Sequence, residues 1–413
     1  MSSSFHDSAI RGLSRLVIAT LVIALPCGTA IGADVHVQPI FELRGEMNSN
    51  GNLDPVTDSA SDSTGEVADL IALISIATPK GETSIRPVVK LQQYSNRKQV
   101  ETVEGFLTLN SKYAGPRSEF GLFANYSHRD TYTAELANAE FDNLDPDDPT
   151  TPETGNNVIG KTRQRFDFRP SYSYELSERA SVGGQLSYQS ARYSGAATTE
   201  LVDYDFAEAS GLFGWAVSPR RRIAIGGYVN KFDAKDSEDE AKAYGVTFSL
   251  DQKWSETAGA SLTVLYEKDD IVSSSAPFSQ NNSGLGATLT NYWKGETSEW
   301  RVVAGRMFTP TGRGGKSTVD QLRVQYDRQL SERLKFKGAA RYLQDEALND
   351  VNSSGNYDYG RLDLSLYWLA SQRWLIGGGY SYTYRDRVSE LEAADDNRFY
   401  LAILYAGLGR DRR

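Results

Sequence analysis

RFDFRPSYSYELSERASVGGQLSYQ, running from Arg165 to Gln189, is built on a period of two. Phe166, Phe168, Pro170, Tyr172 and Tyr174 fall on one face, and Asp167, Arg169, Ser171 and Ser173 on the other. After Leu176-Ser177-Glu178-Arg179 the alternation resumes, with Val182, Gly184, Leu186 and Tyr188 set against Gly183, Gln185, Ser187 and Gln189. Successive side chains of a strand point to opposite sides, so each arm has one apolar and one polar face. YDRQLSERLKFKGAARY (Tyr326–Tyr342) repeats the arrangement. Two alternating arms around a short polar break make a hairpin, so the recurring LSER reads as a turn rather than a catalytic element. Ser177 and Ser331 are placed to start those turns, with Glu178, Arg179, Glu332 and Arg333 left in solvent.

The same period returns in YGVTFSLD (244–251), LTVLYE (262–267), GRLDLSLYW (360–368) and FYLAILYA (399–406), and no segment sustains a helical stripe. About eighteen such segments of roughly 10 to 14 residues can be counted. Soluble strands are usually five or six residues long, whereas a tilted membrane strand needs about 9 to 11. The breaks alternate between short ones, such as PKGE (79–82), SPRR (218–221) and ASQR (370–373), and generally longer polar ones, such as 48–65, 131–161 and 346–356. Short turns at one end and long loops at the other predict a transmembrane antiparallel up-and-down β-barrel of 16 to 18 strands, 18 being favoured. The tryptophans sharpen this. Trp215, Trp254, Trp293, Trp300, Trp368 and Trp374 all fall within about three residues of a short turn. Indole favours the membrane–water interface, so they are expected to form one girdle on the periplasmic side. Tyr94, Tyr126, Tyr132, Tyr193, Tyr266 and Tyr384 are candidates for a second girdle.

Residues 1–33 read as a cleaved secretory signal: Arg11 and Arg15 precede LVIATLVIALP, and small residues close the segment at Ala33. The single cysteine, Cys27, falls within it. Residues 34–413 are then one barrel domain without thiol chemistry, located in the outer membrane of a Gram-negative bacterium. Loss of the +1 signal takes the formal charge from −10 to −11, which argues against nucleic acid as a partner. The expected partners are outer-membrane lipid, lipopolysaccharide and the barrel-assembly machinery.

With the apolar faces against lipid, Arg44, Arg86, Lys90, Arg165, Arg169, Arg323, Lys337, Arg341, Arg361 and Arg385 turn inward, together with Glu42, Asp167, Glu267, Asp327 and Asp363. Arg165, Arg169, Arg323, Arg341, Arg361, Arg385, Asp167 and Asp363 are the pore-lining candidates. They suit either a pore that guides an anionic solute or polymer or a ladder of ion pairs that stiffens the wall. Enzyme chemistry is not expected. Of the two histidines after residue 33, His36 stands alone, and His128 and Asp130 lie two apart on one strand. An outer-membrane hydrolase would have to rely on them, with nothing to mark its nucleophile. Asp142, Asp145, Asp147 and Asp148 lack the spacing of a calcium loop. No metal or cofactor is expected.

The hairpin unit at Tyr172–Tyr188 and Tyr326–Tyr342, with looser echoes at Trp215–Tyr228 and Trp368–Tyr382, resembles outer-membrane β-barrel proteins of exosortase/PEP-CTERM and exopolysaccharide systems. The resemblance implies a barrel acting in polysaccharide secretion beside polysaccharide-export proteins, and it supplies no catalytic residues. The sequence therefore predicts an outer-membrane channel, a conduit for an anionic exopolysaccharide or a general diffusion pore. The alternative is a scaffold barrel with an occluded lumen.

Overall fold

A computed structural model describes residues 33–51, 53, 62–95, 101–134, 161–195, 201–235, 240–272, 280–312, 315–348, 356–388 and 392–407. Eighteen strands pair in sequence order, each antiparallel to the next, and β1 (Asp34–Asn48) pairs with β18 (Ala394–Ala406) to close the barrel. Closure gives every strand a paired neighbour on both sides, the condition for crossing a hydrocarbon layer with strands. The segment around LSER forms β6 (Lys161–Glu175) and β7 (Ala180–Gly195). The strands are 13 to 17 residues long, beyond the 10 to 14 read from alternation. At the long-loop end inward positions are buried yet polar, which hides the alternation from a hydrophobicity reading.

All eight short connections lie at one end. The serines there share a device: the Oγ of Ser177, Ser218, Ser255, Ser331 and Ser371 accepts a hydrogen bond from the backbone N–H two residues on, at 3.2 to 3.4 Å. The two LSER units differ in length, however. Residues 176–179 form a four-residue turn, whereas Ser331 ends β14 (Gly315–Ser331) and only Glu332 and Arg333 join it to β15 (Leu334–Ala347). Serine capping of a tight turn is what recurs, rather than one turn geometry.

Outward positions carry large apolar side chains around the whole wall, among them Val37, Phe41, Ile225, Val246, Leu285, Leu289 and Leu401, each at least 38 % exposed. This is the exterior of a membrane barrel. The six tryptophans, 42–53 % exposed, stand next to the short turns. Of the tyrosines considered for a second girdle, Tyr266 is exposed, but Tyr94 and Tyr193 point inward. Tyr94 donates to the Glu46 carboxylate at 2.8 Å, and Tyr193 packs against the cluster around Phe232. Both occupy the inward parity of their strands, which outweighs their position near a strand end. The segment expected as an irregular loop from 131 begins with one helical turn, α1 (Thr131–Ala134). Asp142, Asp145, Asp147 and Asp148 lie outside the described residues, as does nearly all of the signal segment.

Facing makes a direct prediction at adjacent residues. Leu289→Arg places a guanidinium on the lipid side of β12 (Gln280–Lys294) and should cost about 2–4 kcal/mol in a urea titration of vesicle-folded protein. Thr290→Arg faces the interior and should cost far less.

Candidate functional site

The interior is filled unevenly. An apolar cluster of Ile40, Ile71, Val88 and Phe106 covers the inner face of β1, β2 (Ser63–Thr78), β3 (Gly81–Tyr94) and β4 (Glu101–Ala114). Towards the long loops the inward side chains become charged and buried. Arg165, Asp167, Arg323, Arg341, Asp363 and Arg385 are all at most 7 % exposed, and Arg169 and Arg361 lie inward beside them.

Strand pairing sets arginines directly opposite one another. Arg323 of β14 faces Arg341 of β15, and Arg341 faces Arg361 of β16 (Tyr357–Leu369). Arg129 of β5 (Ser118–Asp130) likewise faces Arg163 of β6. Like charges in register are unfavourable, so carboxylates must offset them. They do so by sharing. Asp167 meets Arg165 at 2.9 Å and Arg169 at 3.3 Å. Asp363 meets Arg361 at 2.8 Å and Arg398 at 4.0 Å. Glu46 meets Arg44 at 2.7 Å and Arg398 at 3.8 Å. Two guanidiniums share Asp167, whereas Arg44, Arg361 and Arg398 meet three carboxylates, Glu42, Glu46 and Asp363. With Arg323 and Arg341 beside Arg361, arginine gathers on the interior face of β14–β16.

The opposite sign gathers on β8 (Tyr204–Ser218) to β11 (Ala258–Val272), where Glu208, Glu267 and Asp269 turn inward. One cation, Lys316, joins Glu267 and Asp269 at 2.5 Å each, with all three side chains at most 3 % exposed. Tyr228 and Asn230 donate to the same Glu267 carboxylate, at 2.9 and 3.2 Å.

Lys316 belongs to β14, three strands from β11. Strands spaced about 4.8 Å apart put that wall-to-wall distance near 14 Å, so β14 must leave the wall to make the contact. The pairing of β12 with β13 (Ser298–Thr311) shows where this happens. It runs from Lys294↔Glu299 to Ala287↔Arg306 and stops, although β12 keeps its ladder to β11 out to Gln280 and β13 keeps its ladder to β14 out to Thr311. Above Arg306 the β13–β14 hairpin bends inside the barrel. Phe308, on the lipid-facing parity of its strand, lines the interior instead. Glycine makes the bend possible: a Cβ at Gly284 would enter the Phe308 ring, and one at Gly286 would lie 2.9 Å from the Arg306 carbonyl. Farther in, Val202 N–H bonds the Gly312 carbonyl at 2.6 Å, linking connections at least five strand positions apart, roughly 24 Å of wall.

The hairpin therefore roofs part of the lumen. Beneath Met307 and Phe308 lies a cavity of about 690 Å³, walled by small side chains such as Gly183, Ser210, Ala224, Thr247, Ser261 and Thr263. Neither Lys316 nor the hairpin was singled out from sequence. A signal was present: outward parity is apolar at Trp300, Val302, Ala304, Leu322 and Val324, then turns polar at Arg306, Lys316, Thr318 and Asp320.

His128 sits half-buried near the long-loop end of β5, on the face opposite Ser127 and Arg129. His36 lies near the short-turn end of β1, opposite Ser75. The two are far apart and share no hydrogen bond or ion pair. Among the described residues no group of three or more His, Cys, Asp or Glu could hold a metal ion.

No protein-family model matches the chain, and no curated protein does. Among solved structures the chain is similar to Pseudomonas aeruginosa OccK2 (OpdF), crystallised with glucuronate, at 9 % identity over 91 % of this chain and 99 % of that one, with a TM-score of 0.47. It is similar to P. aeruginosa OccK5 (OpdH) at 9 % identity, 91 % and 99 % coverage and a TM-score of 0.45. The outer-membrane channel DcaP of Acinetobacter baumannii aligns at 14 % identity, 92 % and 98 % coverage and a TM-score of 0.43.

The glycine contacts can be tested. Gly284→Leu should destabilise the folded barrel by about 1–3 kcal/mol through overpacking, read from urea unfolding in vesicles. Gly211→Leu, where an added Cβ finds its nearest neighbour at 3.8 Å, should be close to neutral.

Proposed function

We propose that this barrel is an outer-membrane diffusion channel for small anionic solutes, with charged interior walls that orient what passes. One observation carries the reading: arginines stand in register across β14, β15 and β16, an arrangement that a wall does not require. A scaffold barrel could place neutral residues at those positions and be more stable. Arginine gathered on the interior face of β14–β16, opposite the carboxylates of β8–β11, sets a transverse field across the lumen. An anion crossing beneath the hairpin meets guanidinium donors on one side, whose forked geometry suits carboxylate and phosphate. The lumenal arginines take the role of guiding groups, and the six exposed tryptophans that of the periplasmic girdle.

The narrower reading, passage of an exported anionic exopolysaccharide, rests on the sequence resemblance. The inward hairpin favours small solutes over a polymer, because it occupies interior space that a chain of sugars would need. The reading assigns the protein no catalytic residue.

Reversal potentials in planar bilayers under a KCl gradient test the proposal. The channel should prefer chloride to potassium. Arg323→Gln with Arg341→Gln should lower that preference; removing a charge roughly 5–8 Å from the path in water changes an ion's energy by about 0.5–0.8 kcal/mol, or two- to fourfold per site. Cation preference in the parent protein would refute the anion reading. His128→Ala should leave conductance unchanged.

A further inference from the structure

We infer that the β13–β14 hairpin has two seats, the inward one observed and one in the barrel wall, so that it gates the channel proposed above. The register is the main support. Continued upward from Ala287↔Arg306, it would pair Gly286 with Met307, Leu285 with Phe308, Gly284 with Thr309, Ser283 with Pro310 and Asn282 with Thr311. Both strands run on far enough to make those pairs, β12 to Gln280 and β13 to Thr311, and neither needs a shift to do so. In the wall seat Phe308 would return to the lipid-facing side beside Leu285, which is already 64 % exposed there.

The inward seat is held by identifiable contacts, among them the packing of Met307 and Val319 with Leu343, Tyr357 and Tyr359. Lys316 to Glu267 and Asp269 is its buried latch. Val202 N–H to Gly312 O is its far anchor. Phe308 rests where Gly284 has no side chain. Behind the hairpin the Asn282 amide donates to the Leu348 carbonyl at 3.0 Å, so the end of β12 leans across the space the hairpin has left. Moving the hairpin outward would exchange that bond, the latch and the anchor for additional ladder pairs. It would also remove the roof formed by Met307 and Phe308 and leave Glu267 and Asp269 facing an open lumen. Two packings of the same strands with different sets of bonds constitute a bistable element, and the latch sets their populations. The inference rests on the pore reading for its consequence, but not for the movement itself.

The test separates the two. In the full chain, Asn282→Cys with Thr311→Cys forms a disulfide only when the hairpin lies in the wall, and bilayer recording reports conductance independently. Adding Lys316→Met should raise the disulfide-formation rate roughly tenfold, equivalent to about 1.4 kcal/mol, and should increase the time spent in a larger conductance level. Lys316→Arg keeps the charge and should behave as the parent. If Lys316→Met fails the heat-modifiability test for a folded barrel, Glu267→Gln with Asp269→Asn releases the latch from the other side and should act in the same direction. Faster cross-linking without conductance in any variant would support the hairpin movement and overturn the pore reading. Unchanged cross-linking and unchanged conductance levels after either release of the latch would overturn the hairpin proposal.

Discussion

A backbone that crosses hydrocarbon must satisfy its own N–H and C=O groups, and this chain does so by closing an eighteen-strand ladder on itself. Most other features follow from that closure. Alternation along every strand sends one set of side chains to lipid and the next to the lumen. Short serine-capped turns join the strands at one end, so the polar length accumulates at the other. A barrel of this width cannot be filled by one layer of side chains, as one of about eight strands can. The interior must therefore be water, additional protein or both.

The molecule uses additional protein. The ladder is given up above one pair, Ala287↔Arg306, and the hairpin beyond it enters the lumen. Strand pairing is forgone there although both strands run on past the break. That loss is offset by a buried cation between two carboxylates, a backbone bond across the interior and an aromatic ring seated on a glycine. Met307 and Phe308 thereby roof the 690 Å³ cavity.

Charge divides the interior in a way that composition conceals. The chain is acidic overall, at −10, yet arginines stand in register on the interior face of β14–β16 and two others share one carboxylate on β6. The opposite arrangement, one ammonium between two carboxylates, appears on β11. Net charge is dominated by residues in solvent, whereas the lumenal field depends on which residues share a face and a height.

The architecture was legible in the sequence because strand parity is a local rule. Residues two apart share a face wherever they sit, so Arg165, Asp167 and Arg169 could be grouped without coordinates, as could the tryptophans beside the turns. Length also showed through, since alternation over ten or more residues excludes ordinary soluble strands. The inward charges were readable one strand at a time, but their juxtaposition was not. That Arg341 faces both Arg323 and Arg361 depends on register between strands, which no single strand encodes. The same limit explains Tyr94 and Tyr193, whose place near a strand end suggested a girdle while their parity directed them inside. The tertiary structure alone decided that Lys316 would meet Glu267 and Asp269, partners 47 to 49 residues away. Its parity marks it as lipid-facing, and only the bend of its hairpin turns that face toward the lumen.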